Sequence, residues 1–412
     1  MVNRDHLIGF LRDRIWFGIK PGLEGMHSIL SELGYPERAY PVIHVAGTNG
    51  KGSTCSYLSA GLQSAGLKVG LYTSPHIRYL NERIRLNASM IPDEEFLEGL
   101  AHVEPLALRL NLTFFETVTA VAFWWFAQKQ VDVVVLETGM GGRLDATNVV
   151  DPDCSVITSI GLDHQQYLGT TIAAIAREKA GIIKTGKPVF CGPVPREALD
   201  VITEVAREKE AHLQVMEESD DPFLLKNRRL AEHILHGWFA GRQIPLPVGF
   251  RDHLDRFTTL TGLEGRFHTI PVNHKTWIFD AAHNPDGIKA LQKAWNHEFP
   301  HTEPVFLFGC VGDKSVSDML EGLKGWVTSL DLLVPEPARG MTAERLSEEA
   351  TTHGFSFRSH QNAMGAIHAL ADRQDRRPVL VAGSLYLLGN VFSALETAGW
   401  VKKSPSGLTI YQ

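Results

Sequence analysis

The sequence predicts an α/β protein made of a P-loop-type, doubly wound parallel-sheet domain followed by a smaller Rossmann-like α/β domain. Apolar strands and helices alternate along most of the chain, as they do in parallel sheets that are covered by helices on both faces. One strand runs into a glycine-bearing loop that opens a helix. The alternation breaks over residues 241–265 and then restarts, so we expect domains at 1–265 and 266–412.

The composition is that of an ordinary globular protein and disfavours several classes of function. The 412 residues suffice for two or three domains, with 44% hydrophobic and 21% charged residues. A net charge of -7 argues against nucleic acid as a partner. Four scattered cysteines without a CxxC pair predict reduced thiols in a cytoplasmic protein. We expect neither a signal peptide nor a membrane partner, because charges interrupt the first residues and the longest apolar run, 120–127, is short.

The stretch that begins at Pro41 predicts a buried strand, a phosphate-binding loop and the start of a helix. Glycines let backbone N–H groups approach an anion, and the helix N-terminus adds partial positive charge. Lys51 would neutralise a phosphate oxygen, although Gly52 follows it where P-loops usually carry Ser or Thr. The alternative is a plain glycine-rich turn with a surface lysine. The residues predicted to hold the nucleotide phosphates, in the manner of an ATPase domain, are Gly47, Thr48, Asn49, Gly50, Lys51, Gly52, Ser53 and Thr54.

The remaining elements of the first domain are predicted from apolar runs and from the residues that bound them. Residues 1–40 are expected to be helical and then loop-like, and Pro92 with three acidic residues opens a helix. The continuous apolar run 131–136 is typical of a central parallel strand. The other predicted strands are 68–72, 82–87, 154–160 and 188–191, and the other predicted helices are 51–66, a long buried one entered at 112–123, 171–183, 196–210 and 221–240.

Polar side chains follow three of the predicted strands. Ser74, Glu137 and His164 each come after a strand end. In a parallel sheet these ends share one edge, which is also the edge that carries Lys51. A hydroxyl, a carboxylate and an imidazole beside a triphosphate predict a Mg²⁺ site, whereas each residue alone could be structural.

Lys179 lies on the apolar stripe of the predicted helix 171–183. A lysine on a buried stripe is uncommon unless it is paired or functional. Burial would lower its pKa, and a neutral lysine can take up CO₂ to become a carbamate, which is an acid-like metal ligand. The alternative is that the side chain snorkels to the surface.

In the second domain, Asp280 and His283 follow a predicted strand. They are expected either to contact the nucleotide and its phosphates or to form only a turn and helix cap. Ser384 follows another strand and is predicted to cap a helix. The predicted strands here are 275–279, 304–309, 329–334 and 378–382, and the predicted helices are 286–299, 315–326, 342–353, 362–373 and 384–399.

With these motifs laid out, the sequence resembles the folylpolyglutamate synthase and dihydrofolate synthase family within the Mur ligase superfamily. The matching motifs come in family order and cover nearly the whole chain. They are Val45-Ala-Gly-Thr-Asn-Gly-Lys-Gly-Ser-Thr54, Thr73-Ser-Pro-His76, Leu112-Thr-Phe-Phe-Glu-Thr-Val-Thr-Ala120, Glu137-Thr-Gly-Met-Gly-Gly-Arg-Leu-Asp-Ala-Thr-Asn148, Gly161-Leu-Asp-His164, Arg177-Glu-Lys-Ala-Gly181, Gly265-Arg-Phe267, Asp280-Ala-Ala-His-Asn-Pro285 and Gly383-Ser-Leu-Tyr-Leu-Leu-Gly389.

The resemblance implies a cytoplasmic, monomeric ligase that uses ATP and two Mg²⁺ ions. Such enzymes phosphorylate a folate or pterin carboxylate, and the amine of L-glutamate then attacks the acyl phosphate. The resemblance also implies the roles of individual residues. Lys51 would hold the β- and γ-phosphates, and His283 the phosphate end of the nucleotide. The implied metal ligands are Ser74 and Glu137 for one ion, and Glu137, His164 and carbamylated Lys179 for the other. The implied nucleotide contacts are Asn227, Arg266 and Asp280, and the implied pterin contacts are Leu23, Thr113, Phe115, Asp145 and Ala146.

Some positions depart from the family pattern, and two other functions compete. Phe223-Leu224 replaces the usual His-Gln, Ser315 ends the usual Asp-Lys-Asp, and Asn390 replaces an acidic residue. A Mur-type peptidoglycan ligase would share the chemistry, but we expect no room for its extra N-terminal domain before residue 47. A P-loop ATPase without ligase activity would not need Lys179 on an apolar face.

Overall fold

A computed structural model of the chain describes residues 3–15, 17–18, 20, 22–312, 316–337, 340–402 and 407–409. The chain divides into two compact units, Met1–Leu263 with Gly407–Gln412, and Glu264–Ser406. The division lies close to the predicted one at residue 265. The segment from Gly407, which the sequence places in the second domain, belongs to the first unit: Leu408 is buried there, and its carbonyl accepts from Leu80 N at 2.8 Å.

The first unit contains an eight-stranded sheet with helices on both faces. Its strands are β1 Val42–Ala46, β2 Val69–Tyr72, β3 Ile84–Leu86, β4 Ser89–Met90, β5 Val133–Glu137, β6 Cys154–Ile157, β7 Pro188–Cys191 and β8 His212–Val215. Its helices are α1 Arg4–Ile15, α2 Glu24–Glu32, α3 Lys51–Gln63, α4 Asp93–Arg109, α5 Phe114–Lys129, α6 Gln165–Leu168, α7 Ile172–Ala180, α8 Arg196–Glu208, α9 Phe223–Gly241, α10 Phe250–Asp255 and α11 Phe257–Thr261, with 3-10 turns at Pro36–Arg38, Leu80–Arg83 and Ala146–Val149.

The strand order β4-β3-β2-β5-β1-β6-β7-β8 explains why the polar strand ends come together. Strand β1 pairs in parallel with β5 on one side and β6 on the other, and β2 pairs in parallel with β5. The phosphate loop after β1, the Ser74 turn after β2, Glu137 at the end of β5 and the segment after β6 therefore share one edge.

The central strands are apolar throughout because both of their faces are covered. In β5, Val134 and Leu136 face one hydrophobic core with α4 and α5, whereas Val133 and Val135 face another core with α3 and α9. This alternation follows from the two-residue period of a strand. Helix α5 is buried along most of its length, as the sequence predicts.

The second unit contains a six-stranded sheet of order β13-β12-β11-β14-β10-β9. Its strands are β9 His268–Val272, β10 Lys275–Phe279, β11 Val305–Phe308, β12 Ser329–Leu332, β13 Ser356–Ser359 and β14 Val379–Ala382, and its helices are α12 Pro285–Glu298, α13 Val316–Leu323, α14 Ala343–Thr352, α15 Ala363–Ala371 and α16 Leu385–Thr397.

The predicted fold class is confirmed, and the differences lie at the sheet edges. Strands β3, β4 and β9 pair antiparallel with their neighbours, so neither sheet is wholly parallel. Strands β4, β8, β9 and β13 were not predicted, because they are partly or fully exposed and lack a continuous apolar run. The stretch expected to be irregular, 241–265, also contains α10 and α11. In the described part of the chain, no helix combines the length and apolar character needed to span a membrane.

Candidate active site

The phosphate loop requires glycine at two positions because other groups approach its backbone closely. A Cβ atom on Gly47 would lie 1.9 Å from Thr158 Oγ1. Gly50 precedes α3 with φ +85°, and a Cβ atom there would lie 2.7 Å from Asn227 Oδ1. Both distances are shorter than van der Waals contact, so the loop keeps its shape only with glycines.

Hydrogen bonds to the end of β6 hold the loop in place. Thr48 N donates to Ser159 O at 2.8 Å, and Thr48 Oγ1 lies 3.1 Å from Gly161 O. Thr158 Oγ1 donates to Asn49 O at 2.7 Å, and Asn49 N donates to Ser159 Oγ at 3.0 Å. The predicted nucleotide-binding residues Thr48 and Asn49 therefore shape the loop. Thr158 and Ser159 were missed because they fell inside the predicted strand 154–160, whereas β6 ends at Ile157.

Lys51 is the first residue of α3, and its ammonium turns back onto the loop. Its Nζ donates to Gly47 O at 3.0 Å and to Thr48 O at 3.1 Å. Gly52, Ser53 and Thr54 are buried in the first turn of α3. The Lys51 charge therefore lies against the loop at the N-terminus of α3, where a helix favours an anion.

Lys179 lies beside the same loop, on α7. The residue is 4% exposed, and its Nζ donates to Gly47 O at 2.8 Å. Burial and the nearby Lys51 charge lower the pKa of Lys179 to about 7. The side chain does not snorkel, so that alternative is wrong. Gly47 O accepts from both lysines, which brings Lys51 and Lys179 to one point of the loop.

Ser74 and Glu137 are neighbours because β2 and β5 are adjacent. Ser74 N donates to Glu137 Oε2 at 3.0 Å, and Glu137 is 2% exposed. A buried carboxylate beside a serine hydroxyl provides the oxygen donors that Mg²⁺ prefers when substrate phosphates supply others.

His164, the third predicted metal ligand, lies in the segment after β6. It precedes the short helix α6 with φ +48°, and its Nε2 lies 3.7 Å from Asp163 Oδ2. Within the described residues, no three His, Cys, Asp or Glu side chains come together as a metal cluster. Asp163 also opposes the lowered pKa of Lys179. Asp163 lay within a quoted motif, but no role was predicted for it.

The predicted pterin contacts lie around the start of α5 and the loop after β5. Thr113 caps α5: its N and Oγ1 each donate to Glu116 Oε2 at 2.8 Å. A Cβ on Gly139 would lie 2.5 Å from Phe115 Cζ, so the glycine gives the ring its space. Ala146 is buried in the 3-10 turn that Asp145 caps.

Asp145 belongs to a buried hydrogen-bond chain that starts on β1. His44 Nε2 lies 2.8 Å from Thr147 Oγ1, which donates to Asp145 Oδ1 at 2.5 Å. Since Thr147 donates to Asp145, His44 Nε2 carries the proton that Thr147 accepts. Burial lowers the pKa of His44 to about 3, so the ring is neutral. His44 was missed, although a histidine within an apolar strand is an unusual pattern.

Arg143, in the loop that follows β5, connects this loop to helix α7. Arg143 N donates to Glu178 O at 2.7 Å, and the two side chains form an ion pair at 2.8 Å. Asn148 Nδ2 donates to Gly181 O at 3.0 Å. The motif that contains Arg143 and Asn148 and the motif that contains Lys179 therefore meet through one backbone hydrogen bond, one ion pair and one side-chain hydrogen bond.

The other two predicted contacts of the first unit lie apart from one another. Asn227 is buried on α9 with its amide against Gly50, consistent with a place beside the phosphate loop. Leu23 is partly exposed before α2, and its carbonyl accepts from His27 N at 2.8 Å. The role of Leu23 as a pterin contact stays a prediction.

In the second unit, Asp280 shapes a turn. Its carboxylate accepts from Phe267 N at 2.8 Å and Ala282 N at 2.9 Å. Burial raises the pKa of Asp280, and the nearby Arg266 charge opposes that rise. His283 Nδ1 lies 2.8 Å from Ala281 O, while Asn284, not Asp280, caps α12.

Two further positions of this unit have structural partners. Ser384 caps α16 by accepting from Tyr386 N at 3.1 Å. Asn390, one of the departures from the family pattern, accepts from Glu336 N at 2.7 Å. Another departure, Ser315, lies outside the described residues.

Comparisons with known proteins relate both units to ligase domains. Residues 45–189 match the family model of the Mur ligase middle domain, and residues 265–385 match that of the Mur ligase glutamate ligase domain. The chain is 36% identical over 393 residues to the dihydrofolate synthase/folylpolyglutamate synthase of Escherichia coli K12, covering 91% of each chain. It is 34% identical over 412 residues to the folylpolyglutamate synthase of Lacticaseibacillus casei, covering 89% and 93%.

Solved structures resemble the whole chain as well. The complex of E. coli FolC with DHPP and ADP has a TM-score of 0.82 at 32% identity and covers 96% of this chain and 98% of its own. The Mycobacterium tuberculosis folylpolyglutamate synthase complexed with ADP and AMPPCP has a TM-score of 0.83 at 26% identity and covers 98% and 100%.

Proposed function

This chain belongs to the folylpolyglutamate synthase/dihydrofolate synthase family of the Mur ligase superfamily, and from this premise we propose how its residues carry out the reaction. The chain is an ATP-dependent ligase that joins L-glutamate to a folate-type carboxylate. One observation carries the assignment of the active site: Lys51 and buried Lys179 both donate to Gly47 O of the phosphate loop.

The reaction begins with transfer of a phosphoryl group. An oxygen of the acceptor carboxylate attacks the γ-phosphorus of ATP, the bond to the β-phosphate oxygen breaks, and ADP leaves. We expect Lys51 to exchange its loop carbonyl partners for phosphate oxygens, because a charged acceptor forms the stronger hydrogen bond. The loop N–H groups bind the remaining phosphate charge. Asn227, next to Gly50, contacts the nucleotide on the same side.

The acyl phosphate then reacts with glutamate. The amine nitrogen attacks the acyl carbon, the carbon–oxygen bond to phosphate breaks, phosphate leaves, and the amine loses a proton. We assign nucleotide binding to Arg266, Asp280 and His283 of the glutamate ligase domain. Asp280 acts indirectly, because its carboxylate accepts from Phe267 N and Ala282 N and so holds the turn.

Magnesium fits the residues of the first unit. Ser74 and the buried Glu137 would provide oxygen donors for one ion. Glu137 and a carbamate on Lys179 would provide oxygen donors for the second ion, and His164 would provide a ring nitrogen. Bound Mg²⁺ would supply charge stabilisation for the transferring phosphoryl group. The low pKa of Lys179, about 7, supports the carbamate, because only the neutral amine reacts with CO₂.

We place the pterin end of the acceptor against Thr113, Phe115, Asp145 and Ala146, with Leu23 nearby. These positions are those of the family members with both activities, so we propose that the enzyme accepts both dihydropteroate and tetrahydrofolate. We further propose that it works as a cytoplasmic monomer. The four cysteines are free and buried, which suits a reducing compartment.

The test is a product assay by mass. Purified protein receives ATP, Mg²⁺ and L-glutamate with either dihydropteroate or tetrahydrofolate, and phosphate release is followed in parallel. We expect each acceptor to gain one glutamyl group, and phosphate to appear only with acceptor and glutamate together. Rapid ATP hydrolysis without acceptor would support the ATPase alternative. Conversion of a UDP-sugar acceptor instead would support a peptidoglycan ligase.

A further inference from the structure

Arg83 is a buried cation with no ion-pair partner among the residues that the structure describes. It ends the 3-10 turn Leu80–Arg83 directly before β3 and is 7% exposed. Its Nε donates to His76 Nδ1 at 2.9 Å, and its Cζ lies 5.4 Å from the centre of the Phe114 ring. In the described part of the chain, no carboxylate forms an ion pair with Arg83, and its two terminal amino groups have no hydrogen-bond partner.

Two neighbours of Arg83, Glu82 and His76, do not neutralise its charge. Glu82, its neighbour in sequence, accepts from the backbone N–H groups of Ile77, Arg78 and Tyr79 at 2.7–2.9 Å. His76 is neutral, because burial and then the Arg83 charge lower its pKa well below the usual value. Burying an arginine without an anion is costly, so such a residue is expected to gain its partner from a ligand.

The position of Arg83 identifies the kind of ligand. Its carbonyl accepts from Thr73 N at 3.0 Å, so it adjoins the turn that carries Ser74. Phe114, which it contacts, stands between Thr113 and Phe115 at the start of α5. Arg83 thus lies between the proposed phosphate and metal residues and the proposed pterin pocket, where the reacting carboxylate of the acceptor has to lie.

We propose that Arg83 binds the carboxylate of the acceptor through its terminal amino groups and holds it for attack on the γ-phosphate. The proposal rests on the ligase function proposed above. A guanidinium suits this role because its planar pair of donors matches a carboxylate and stays charged at all working pH values. It would also reduce the repulsion between this carboxylate and the triphosphate.

The test compares an acid ligand with its neutral counterpart. Calorimetry measures the Kd of dihydropteroate and of the analogue with a carboxamide in place of the carboxylate, for wild type, Arg83→Met, Arg83→Lys and Arg85→Met. Arg85 is the matched control: it is 9% exposed, but its Nε and Nη1 lie 3.2 and 3.3 Å from Glu82 O and Ala88 O. We expect wild type and Arg85→Met to prefer the acid by about 10- to 100-fold.

In Arg83→Met the preference for the acid should vanish while the Kd of the carboxamide stays within about two-fold of wild type, because only a charge-assisted interaction is lost. Arg83→Lys should keep part of the preference. An undiminished preference in Arg83→Met would overturn the proposal. A wild type that binds neither dihydropteroate nor its carboxamide analogue would instead overturn the proposed function. Failure of the Arg83 proposal and failure of the proposed function therefore give different results. An ATP Kd equal to that of wild type checks that each variant is folded.

Discussion

Replacing Lys179 with methionine is expected to stabilise the folded protein at low pH while it abolishes ligation. The side chain is buried, and its Nζ donates to Gly47 O at 2.8 Å. Burial first, and the Lys51 charge second, lower the pKa of Lys179 from 10.5 to about 7. Methionine has a similar length and no charge, so it removes the cause of this shift without leaving a large cavity.

The direction of the stability change follows from the number of protons that the folded and unfolded chains bind. Between pH 7 and 10.5 the unfolded chain holds a proton on Lys179 that the folded chain lacks, so the lysine destabilises the fold fully below pH 7, and this penalty disappears as the pH rises towards 10.5. At 1.36 kcal/mol per pKa unit, the drop from 10.5 to about 7 corresponds to about 5 kcal/mol at pH 6 and about 2 kcal/mol at pH 9. The lost hydrogen bond to Gly47 O offsets about 1–2 kcal/mol.

Lys179→Met should therefore be about 3 kcal/mol more stable than wild type at pH 6 and nearly equal to it at pH 9. The measurement is thermal unfolding of the nucleotide-free protein in CO₂-free buffer at both pH values. Lys226→Met, which loses only the surface ion pair with Glu218, is the control and should change little. A Lys179→Met protein that is less stable than wild type at pH 6, or a difference that does not shrink by pH 9, would refute the reasoning.

Two other substitutions test the phosphate loop and the pterin side. Gly47→Ala would bring a methyl group to 1.9 Å from Thr158 Oγ1, so the loop has to shift and the KM for ATP should rise about 10- to 100-fold. An unchanged ATP KM would contradict this. His44→Leu removes the donor to Thr147 Oγ1 at 2.8 Å, so the acceptor KM should rise about five-fold while the ATP KM is unchanged. His44→Gln keeps a donor at that position and should recover most of the loss; equal KM values for both variants would exclude this positioning role.

Buried strands were predicted from the sequence, whereas exposed edge strands were not. Val133–Glu137 and Pro188–Cys191 were predicted within a few residues, because buried parallel strands are continuous apolar runs. His212–Val215 and Ser356–Ser359 were not predicted, because exposed edge strands have no such run. Their pairing depends on a neighbouring strand that local sequence does not reveal.

The candidate site divides in the same way. Gly47, Lys51, Ser74 and Glu137 were predicted as site residues from their positions after strands, and Lys179 from its place on an apolar stripe; their roles stay predictions. By contrast, His44 and Arg83 had no assigned role, since neither stands in a loop after a strand end. His44 matters through Thr147, a partner distant in sequence. Arg83 matters because no carboxylate among the described residues pairs with it.

By itself, the sequence determined the alternation of strands and helices, the glycine-bearing loop between strand and helix and, through its motifs, the family and its reaction class. Each depends on residues close together along the chain, where period and spacing act directly. Only the tertiary structure decided that Lys179 meets Gly47 O, that His44 supports Asp145 through Thr147, and that buried Arg83 has no carboxylate partner among the described residues. Those contacts depend on the strand order β2-β5-β1-β6 and on long-range packing, which local periodicity does not encode.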